Sequence, residues 1–409
     1  MGLFFFPRGG SAHVARNLAM ALPAAGWDVT VLSGSRRPHG DAARFYAGLD
    51  VRPVEMADIS YEDHPGRIFA SLCDAEAEEL AAGWARALQS AGAADADILH
   101  LHHLTPLNEA AGRAAPGVPV LGHLHGTELL MLEAIERDPR RWPYGEAWAA
   151  RMRGWAAACE RLILPTHSQI ERAERLLGIE PERFAIVPNG FDPELFYPRA
   201  VDRADVWRRN VPGPAPGDDP VLLYVGRFTE VKRVPLLIEA YARARTGFIC
   251  RAPLVLAGGF PDEFEGEHPL AAIRRLGVAD VHLTGWREHH ELPDIFCASA
   301  AIVLPSVREQ FGQSLVEGMA CGLPAIAVDA YGPAEIVTHG ETGWLVEPDD
   351  VTGLANALVE VVNRPTERLR RGAAARADVT ERFAWPELAH GIANLYDATS
   401  LREEAASTP

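Results

Sequence analysis

Short apolar runs rich in valine, isoleucine and leucine recur along the chain and alternate with segments that have the periodicity of amphipathic helices. In the first half these runs are 3–6, 28–34, 98–102, 118–126, 161–167 and 184–190. In the second half they are 220–226, 253–259, 280–285, 300–306 and 323–329. Continuous apolar strands separated by helices are typical of parallel sheets covered on both faces. The pattern therefore predicts an α/β fold.

A proline- and glycine-rich segment, residues 199–220, separates the two series of strands and has the composition of a linker. We therefore expect two doubly wound, Rossmann-like domains that face each other across a cleft. The expected boundaries are residues 1–198 for the first domain and 199–383 for the second. Ligands of such sheets lie at the carboxyl ends of the strands, so the residues that bind them are expected there.

Charge and cysteine content narrow the classes of function. The net charge of −17 over 409 residues argues against a nucleic-acid partner, which would need a basic face. We find neither a long apolar segment nor a basic amphipathic helix, so stable membrane association is not expected. The five cysteines are scattered and form no CxxC pair, which is typical of reduced thiols in a cytoplasmic protein.

The first candidate site is the stretch PRGGSAHVARN, in which Gly9 and Gly10 follow an apolar run and open a helical pattern. Backbone amides at a helix start can bind an anion. A plain strand-to-helix turn explains the two glycines equally well. The stretch is not GxGxxG, so a nicotinamide cofactor lacks its main support.

The second candidate is VGRFTEVKR, which contains the chain's single lysine, Lys232, five residues after Arg227. Both cations follow the apolar run 220–226. An arginine offers a planar fork to phosphate oxygens and a lysine a compact point charge, so together they suit a diphosphate. The alternative is a solvated pair of cations at a helix start.

The third candidate is PSVREQFGQSLVEGMACGLP, in which two carboxylates are eight residues apart. Glu309 is expected in a loop and Glu317 on the helix that begins near Gly312. A carboxylate can accept hydrogen bonds from the vicinal hydroxyls of a ribose or a hexose. The backbone amides of Phe311, Gly312 and Gln313 would lie at the helix start. Alternatively, Glu309 caps the helix and Glu317 is a surface charge.

A group of histidines, ILHLHH, raises the question of a metal site. His100 and His102 share one face of a predicted strand, and His103 follows. No carboxylate or cysteine completes a ligand set nearby in the sequence. We therefore favour packing over metal binding here and expect no metal.

These blocks, in this order, closely resemble family 4 glycosyltransferases of the GT-B fold. The resemblance extends from residue 7 to about residue 395 and includes the E-x7-E pair followed by GMACGLP. The other blocks that carry it are RGGSAHVARNLAMAL, LHGTE at 124–128, VPNGFDPELFYP at 187–198, YVGRFTEVK, LTGWREHHELP at 283–293 and GPAEIVTHGETGWLVEPDD at 332–350.

The resemblance implies a role for each candidate residue in the second domain. Arg227 and Lys232 would bind the donor's diphosphate. Glu309 would contact hydroxyls of the transferred sugar, and Glu317 would hold the ribose. The expected donor-binding set also includes Phe311, Gly312, Gln313 and Gly285.

Further roles follow for the first domain. Gly9 and Gly10 would close over the phosphate, and His125 of the LHGTE block would position the transferred sugar. The expected catalytic residues are thus His125, Arg227, Lys232 and Glu309. A helix over residues 384–409 would return to the first domain.

The resemblance also implies the reaction. It is a retaining, front-face transfer from a UDP- or GDP-sugar to a small soluble acceptor, with no metal and no other cofactor. The acceptor would be contacted by residues 36–48, 60–70 and 129–148. A glycoside phosphorylase, a sugar-nucleotide epimerase and a non-catalytic nucleotide-sugar binding protein are the alternatives. The oligomeric state is open, with a homodimer as one option.

Overall fold

The structure, a computed structural model, describes residues 1–5, 9–36, 41–56, 59–61, 67–212, 215–259 and 264–406. The chain forms two compact units. The first unit comprises Met1–Asn189 together with Trp385–Pro409, and the second comprises Gly190–Ala384. In the part of the chain that the structure describes, no helix combines the length and the apolar character needed to cross a membrane.

The first unit is built on a seven-stranded parallel sheet with the order β3-β2-β1-β6-β7-β8-β9. Its strands, including the small separate pair β4 and β5, are β1 (Gly2–Leu3), β2 (Thr30–Ser35), β3 (Asp50–Glu55), β4 (Ile59–Ser60), β5 (Arg67–Ile68), β6 (Leu99–His102), β7 (Val120–His123), β8 (Arg161–Leu164) and β9 (Phe184–Ile186). Its helices are α1 (Gly9–Ala21), α2 (Asp41–Phe45), α3 (Asp74–Ser90), α4 (Pro106–Ala114), α5 (Thr127–Arg137), α6 (Gly145–Ala158), α7 (Ile170–Leu177) and, from the end of the chain, α16 (Trp385–Ala406).

The second unit is built on a six-stranded parallel sheet with the order β12-β11-β10-β13-β14-β15. Its strands are β10 (Leu222–Gly226), β11 (Leu254–Gly258), β12 (Val281–Gly285), β13 (Ala301–Leu304), β14 (Ala325–Val328) and β15 (Gly343–Val346). Its helices are α8 (Arg203–Asn210), α9 (Val234–Ala244), α10 (Pro269–Leu276), α11 (Leu292–Ala298), α12 (Gln313–Ala320), α13 (Tyr331–Ile336), α14 (Val351–Asn363) and α15 (Pro365–Phe383).

The predicted α/β class with two doubly wound sheets is confirmed, and each predicted apolar run overlaps a strand, although the run 3–6 shares only Leu3 with β1. The inner strands β11, β13 and β14 are buried along their whole length, which explains why continuous apolar runs mark them. The sequence pattern missed β3 and β15, which lie at sheet edges. β3 has the sequence DVRPVE, whose charges and proline are tolerated at an edge but hide a strand from an apolar search.

The boundary between the units differs from the expected one. It falls after Asn189, nine residues before the predicted boundary at 198/199. The backbone N–H of Phe191 donates to the carbonyl of Phe383 at 2.9 Å, and Phe196 is buried against Phe296. These contacts place residues 190–198, and the proline-rich segment after them, in the second unit.

The last helix, α16, is part of the first unit. It contributes Trp385, Ile392 and Tyr396 to a buried apolar cluster whose other members come from the first unit's helices, strands and turns. Val14 and Leu18 of α1 and residues of β7 and β8 complete this cluster, so α16 covers one face of the first sheet.

We predict that Ile392→Ala destabilises the first unit by roughly 2–5 kcal/mol, because it removes a fully buried side chain and leaves a cavity. Native-state hydrogen exchange of the β7 amides measures this change. Asn394→Ala, at an exposed position of the same helix, is the matched control and is expected to change stability by no more than about 0.5 kcal/mol. Equal exchange rates in the two variants would show that α16 does not support this sheet.

Candidate active site

The strand order of the second sheet reverses between β10 and β13, and the candidate residues follow these two strands. Arg227 and Lys232 come after β10, and Glu309 comes after β13. In open parallel sheets, ligands bind outside the carboxyl ends of the strands at such a switch point. The topology therefore brings these three residues to the edge where a ligand is expected.

The ammonium of Lys232 donates a hydrogen bond to Oε2 of Glu309. The two side chains are 19% and 15% exposed, so the pair is largely withdrawn from water. A backbone hydrogen bond from Val307 N–H to the Val231 carbonyl, at 3.0 Å, joins the two loops that carry them. The alternative of a solvated cation at a helix start does not describe Lys232.

Arg227 is half-buried, and a hydrogen bond holds its backbone. The Tyr224 hydroxyl donates to the Arg227 carbonyl at 2.6 Å. Burial, and secondarily the negative charge of Glu309, raises the pKa of Tyr224, so this hydroxyl keeps its proton and acts as a donor. Gly258 at the end of β11 is required here, because a Cβ at that position would lie 2.1 Å from the Gly226 carbonyl oxygen.

Helix α12 begins directly at the site. It starts at Gln313, after Gly312, whose φ of +118° favours glycine. The first amides of a helix have no intrahelical acceptor and form its positive end. The Phe311 side chain is buried against Phe383, and the Glu309 carbonyl accepts from Gly332 N–H at 3.1 Å. These contacts fix the loop between β13 and α12, and the side chain of Glu309 pairs with Lys232 and does not cap the helix.

Glu317 is 3% exposed, so the interpretation as a surface charge is wrong. Its Oε1 accepts hydrogen bonds from Nε2 of Gln313 at 3.0 Å and from Nε2 of His289 at 2.9 Å. Gln313 Nε2 also donates to the Gly190 carbonyl at 2.9 Å. His289 was not predicted as a site residue, although it lies in the LTGWREHHELP block; spacing alone could not show that it faces Glu317.

Gly285 lies further from Arg227, Lys232 and Glu309 than the other predicted residues of the second unit do. It ends β12, the edge strand, and β11 separates it from β10. Adjacent strands are about 4.8 Å apart, so Gly285 lies roughly 10 Å from the end of β10. A role in binding the donor stays a prediction for this residue.

The remaining predicted residues lie in the first unit, which has its own switch point between β1 and β6. Gly9 and Gly10 are the exposed first residues of α1. His125 follows β7, and its Nε2 lies 2.9 Å from Nδ1 of His102. The backbone N–H of His125 donates to Glu128 Oε2 at 3.3 Å. His125 is therefore fixed by local contacts, and the roles of all three residues toward a donor stay predictions.

Four histidines of this unit form a group that we name the histidine layer: His100, His102, His123 and His125. The predicted pair on β6 is joined by His123 of β7, because the strand register places His123 beside His102. His103 is not a member of the histidine layer; its Nδ1 lies 2.5 Å from Oε1 of Glu128. Sequence spacing could not reveal His123, since only the register brings it to the layer.

Burial lowers the pKa of every imidazole in the histidine layer, and that of His123 falls to about 3. The layer is therefore neutral at physiological pH. A neutral imidazole has one donor nitrogen and one acceptor nitrogen, and the acceptor can also ligate a metal.

Of the segments expected to contact an acceptor, only 129–148 is described throughout; it contains most of α5 and the start of α6. Residues 37–40 and 62–66 of the other two segments lie outside the described residues.

Comparison with known proteins supplies the family. A family described as Glycosyltransferase Family 4 matches residues 8–195, and one described as Glycosyl transferases group 1 matches residues 206–378. A D-inositol 3-phosphate glycosyltransferase of Acidothermus cellulolyticus is 30% identical over 97% of this chain and 86% of its own length. The chain belongs to glycosyltransferase family 4. It is a glycosyltransferase enzyme, and the E-x7-E and RFTEVK blocks lie within the group 1 match.

Other relatives and solved structures agree with this assignment. A glycogen synthase of Mycobacterium tuberculosis is 29% identical over 97% of this chain and 92% of its own length. Sucrose-phosphate synthase from Thermosynechococcus elongatus has a TM-score of 0.74 at 22% identity and covers 99% of both chains. Anabaena HepE, in complex with UDP and glucose, has a TM-score of 0.71 at 20% identity over 97% of this chain and 99% of its own. The two structures establish the GT-B fold.

We predict that Glu317→Gln weakens binding of a nucleoside diphosphate about 10-fold, because it replaces a buried acceptor of charge-assisted hydrogen bonds by a neutral amide. Calorimetric titration with the ribose form and the 2′-deoxy form of the same nucleotide measures the effect. If Glu317 holds the ribose, the wild type prefers the ribose form and the variant loses this preference. A preference that survives in the variant would assign the ribose contact to another residue.

Proposed function

We propose that this enzyme transfers a sugar from a UDP-sugar to a small soluble acceptor with retention of anomeric configuration. One observation carries the proposal: the chain's single lysine is paired with Glu309 at the switch point of the second sheet. A cation and a carboxylate at this edge supply one contact for a diphosphate and one for sugar hydroxyls.

The diphosphate is the leaving group, and its negative charge grows as the bond to the sugar breaks. Arg227, Lys232 and the first amides of α12 are positive groups on this edge. Such pre-positioned charges stabilise a developing anion without having to reorganise. We assign charge stabilisation in the transition state to these groups, without a metal at the donor.

Glu309 has a different role in this scheme. Its charge is matched by Lys232. When a diphosphate draws on the ammonium, the carboxylate becomes available to accept hydrogen bonds from the hydroxyls of the transferred sugar. Glu309 thus orients the sugar and does not attack it. The departing diphosphate oxygen then accepts the proton of the acceptor hydroxyl on the same face, which retains the configuration.

The relatives guide the choice of substrates. The Anabaena HepE structures contain UDP or UDP-glucose, which favours UDP over GDP as the nucleotide. D-inositol 3-phosphate glycosyltransferases recur among the relatives, which favours a phosphorylated polyol as the acceptor. All five cysteines are free thiols, in keeping with the proposed cytoplasmic location.

We predict sugar transfer from UDP-glucose or UDP-N-acetylglucosamine to an inositol phosphate, with a product whose anomeric configuration, read by NMR coupling constants, equals that of the donor. Lys232→Ala lowers kcat/KM about 10²–10³-fold, because it removes a cation that faces the leaving group. Circular dichroism verifies that the variant is folded.

The neighbouring Arg233 offers a matched control. It forms an exposed ion pair with Asp349, and such pairs contribute little. Arg233→Gln is expected to keep activity within a few-fold of the wild type.

Phosphate-dependent release of sugar 1-phosphate without a nucleotide would indicate a phosphorylase. Conversion of the sugar nucleotide without an acceptor would indicate an epimerase, and binding without turnover a non-catalytic protein. An inverted product would contradict retention.

A further inference from the structure

Three members of the histidine layer present their ring nitrogens to one another. One nitrogen from each of His100, His102 and His123 lies within 4.8 Å of the others. Nε2 of His100 and Nδ1 of His123 are 3.1 Å apart. Two nitrogens bound at 2.0–2.1 Å to a tetrahedral zinc ion are separated by about 3.3 Å, so the pair at 3.1 Å already has this separation, and the most distant pair would have to close by up to about 1.5 Å.

The outward-facing nitrogens of two of these rings are held by hydrogen-bond partners. Nδ1 of His100 lies 2.5 Å from the hydroxyl of Tyr396 on α16, and Nδ1 of His102 lies 2.9 Å from Nε2 of His125. Metal-bound histidines almost always use the second nitrogen in this way, which fixes the ring and its tautomer. His100 and His102 therefore have the arrangement of ligands that present Nε2.

Two nitrogens of the layer have no partner although they are buried. Nε2 of His102 and Nε2 of His123 make no hydrogen bond within the part of the protein that the structure describes, and these residues are 0% and 1% exposed. Buried polar atoms are nearly always satisfied, so each unsatisfied one needs an explanation such as an ion or a water. An ion bound by Nε2 of His102 would satisfy the first of these atoms; the second is satisfied by the ion only where His123 binds through Nε2 and not through Nδ1.

A route from solvent reaches the layer. A partly open cavity of about 260 Å³ is lined by His100 and Tyr396. Asp28, Asp95 and Asp97, all exposed, also line this cavity. Three carboxylates in the lining attract cations and raise their local concentration.

We propose that His100, His102 and His123 bind one divalent transition-metal ion of the zinc class. Three imidazoles without thiolate or carboxylate ligands suit zinc, cobalt, nickel or copper and disfavour magnesium and calcium. The ion would join β6 and β7 and, through Tyr396, hold α16 on the sheet. This site lies within the first unit, and His102 links it to His125, the residue predicted to position the transferred sugar.

The test uses tag-free, full-length protein that has been stripped with a chelator and titrated with Co²⁺. We expect one equivalent to bind with the intense visible absorption of a tetrahedral site, and zinc to displace it. Zinc also raises the thermal unfolding midpoint of the stripped protein. His123→Gln loses the cobalt spectrum, whereas His282→Gln, which removes a histidine of the second unit, retains it.

Tyr396→Phe keeps the ring and removes only the hydroxyl that orients His100. It is expected to weaken Co²⁺ binding about 10-fold, within the range seen when outer hydrogen-bond partners are removed. This variant keeps the test decisive if His123→Gln does not fold. Three results would overturn the assignment: no binding of Co²⁺ by the wild type, a weak octahedral spectrum, or the same spectrum and affinity in Tyr396→Phe. A metal-free hydrogen-bonded layer would give the first result.

Discussion

The ion pair between Lys232 and Glu309 is the contact on which the proposed donor site depends. The two residues reach each other because β10 and β13 are adjacent where the strand order reverses, so the loops that follow them run side by side. The pair is largely shielded from water, which strengthens the attraction and makes the loss of either partner costly. The pair thus holds the ammonium at the edge of the sheet where the diphosphate is proposed to bind.

The surrounding residues hold this pair in place. The Tyr224 hydroxyl donates a hydrogen bond to the backbone carbonyl of Arg227, and the backbone N–H of Gly332 donates to the carbonyl of Glu309. Gln313 and His289 converge on Glu317, whose burial would be unfavourable without them. Glu309 and Glu317, the carboxylates proposed to bind the sugar and the ribose, are therefore held in place by protein contacts, which is the condition for efficient electrostatic catalysis.

Most of the architecture followed from sequence because buried parallel strands are continuous apolar runs. Two edge strands, β3 and β15, were missed, and β3 carries charges and a proline. The predicted boundary between the units lay too late in the chain. Proline and glycine mark turns, whereas the packing of Phe191 and Phe196 decides to which core a segment belongs. Two histidines, His289 and His123, were missed as site candidates. Residue spacing in the sequence does not reveal the packing that brings His289 to Glu317 or the strand register that brings His123 beside His102.

The two sheets share one strand order yet carry different chemistry, which shows that the fold positions a site without defining it. At the second sheet's switch point, a cation and a carboxylate are left partly accessible. In the first sheet, neutral imidazoles are buried under α16, where Tyr396 contacts His100. Both arrangements use residues at or near the ends of central strands.

The most direct measurement of the central claim is calorimetric titration of UDP and UMP against the wild type, Lys232→Ala and Lys232→Arg. If Lys232 binds the diphosphate, the preference for UDP over UMP falls about 10–100-fold in the alanine variant, the range of a charge-assisted hydrogen bond. Arginine would restore only part of it, because its planar fork differs from a compact ammonium. An unchanged preference in Lys232→Ala would contradict the claim, and absence of nucleotide binding by the wild type would overturn the sugar-nucleotide assignment as a whole.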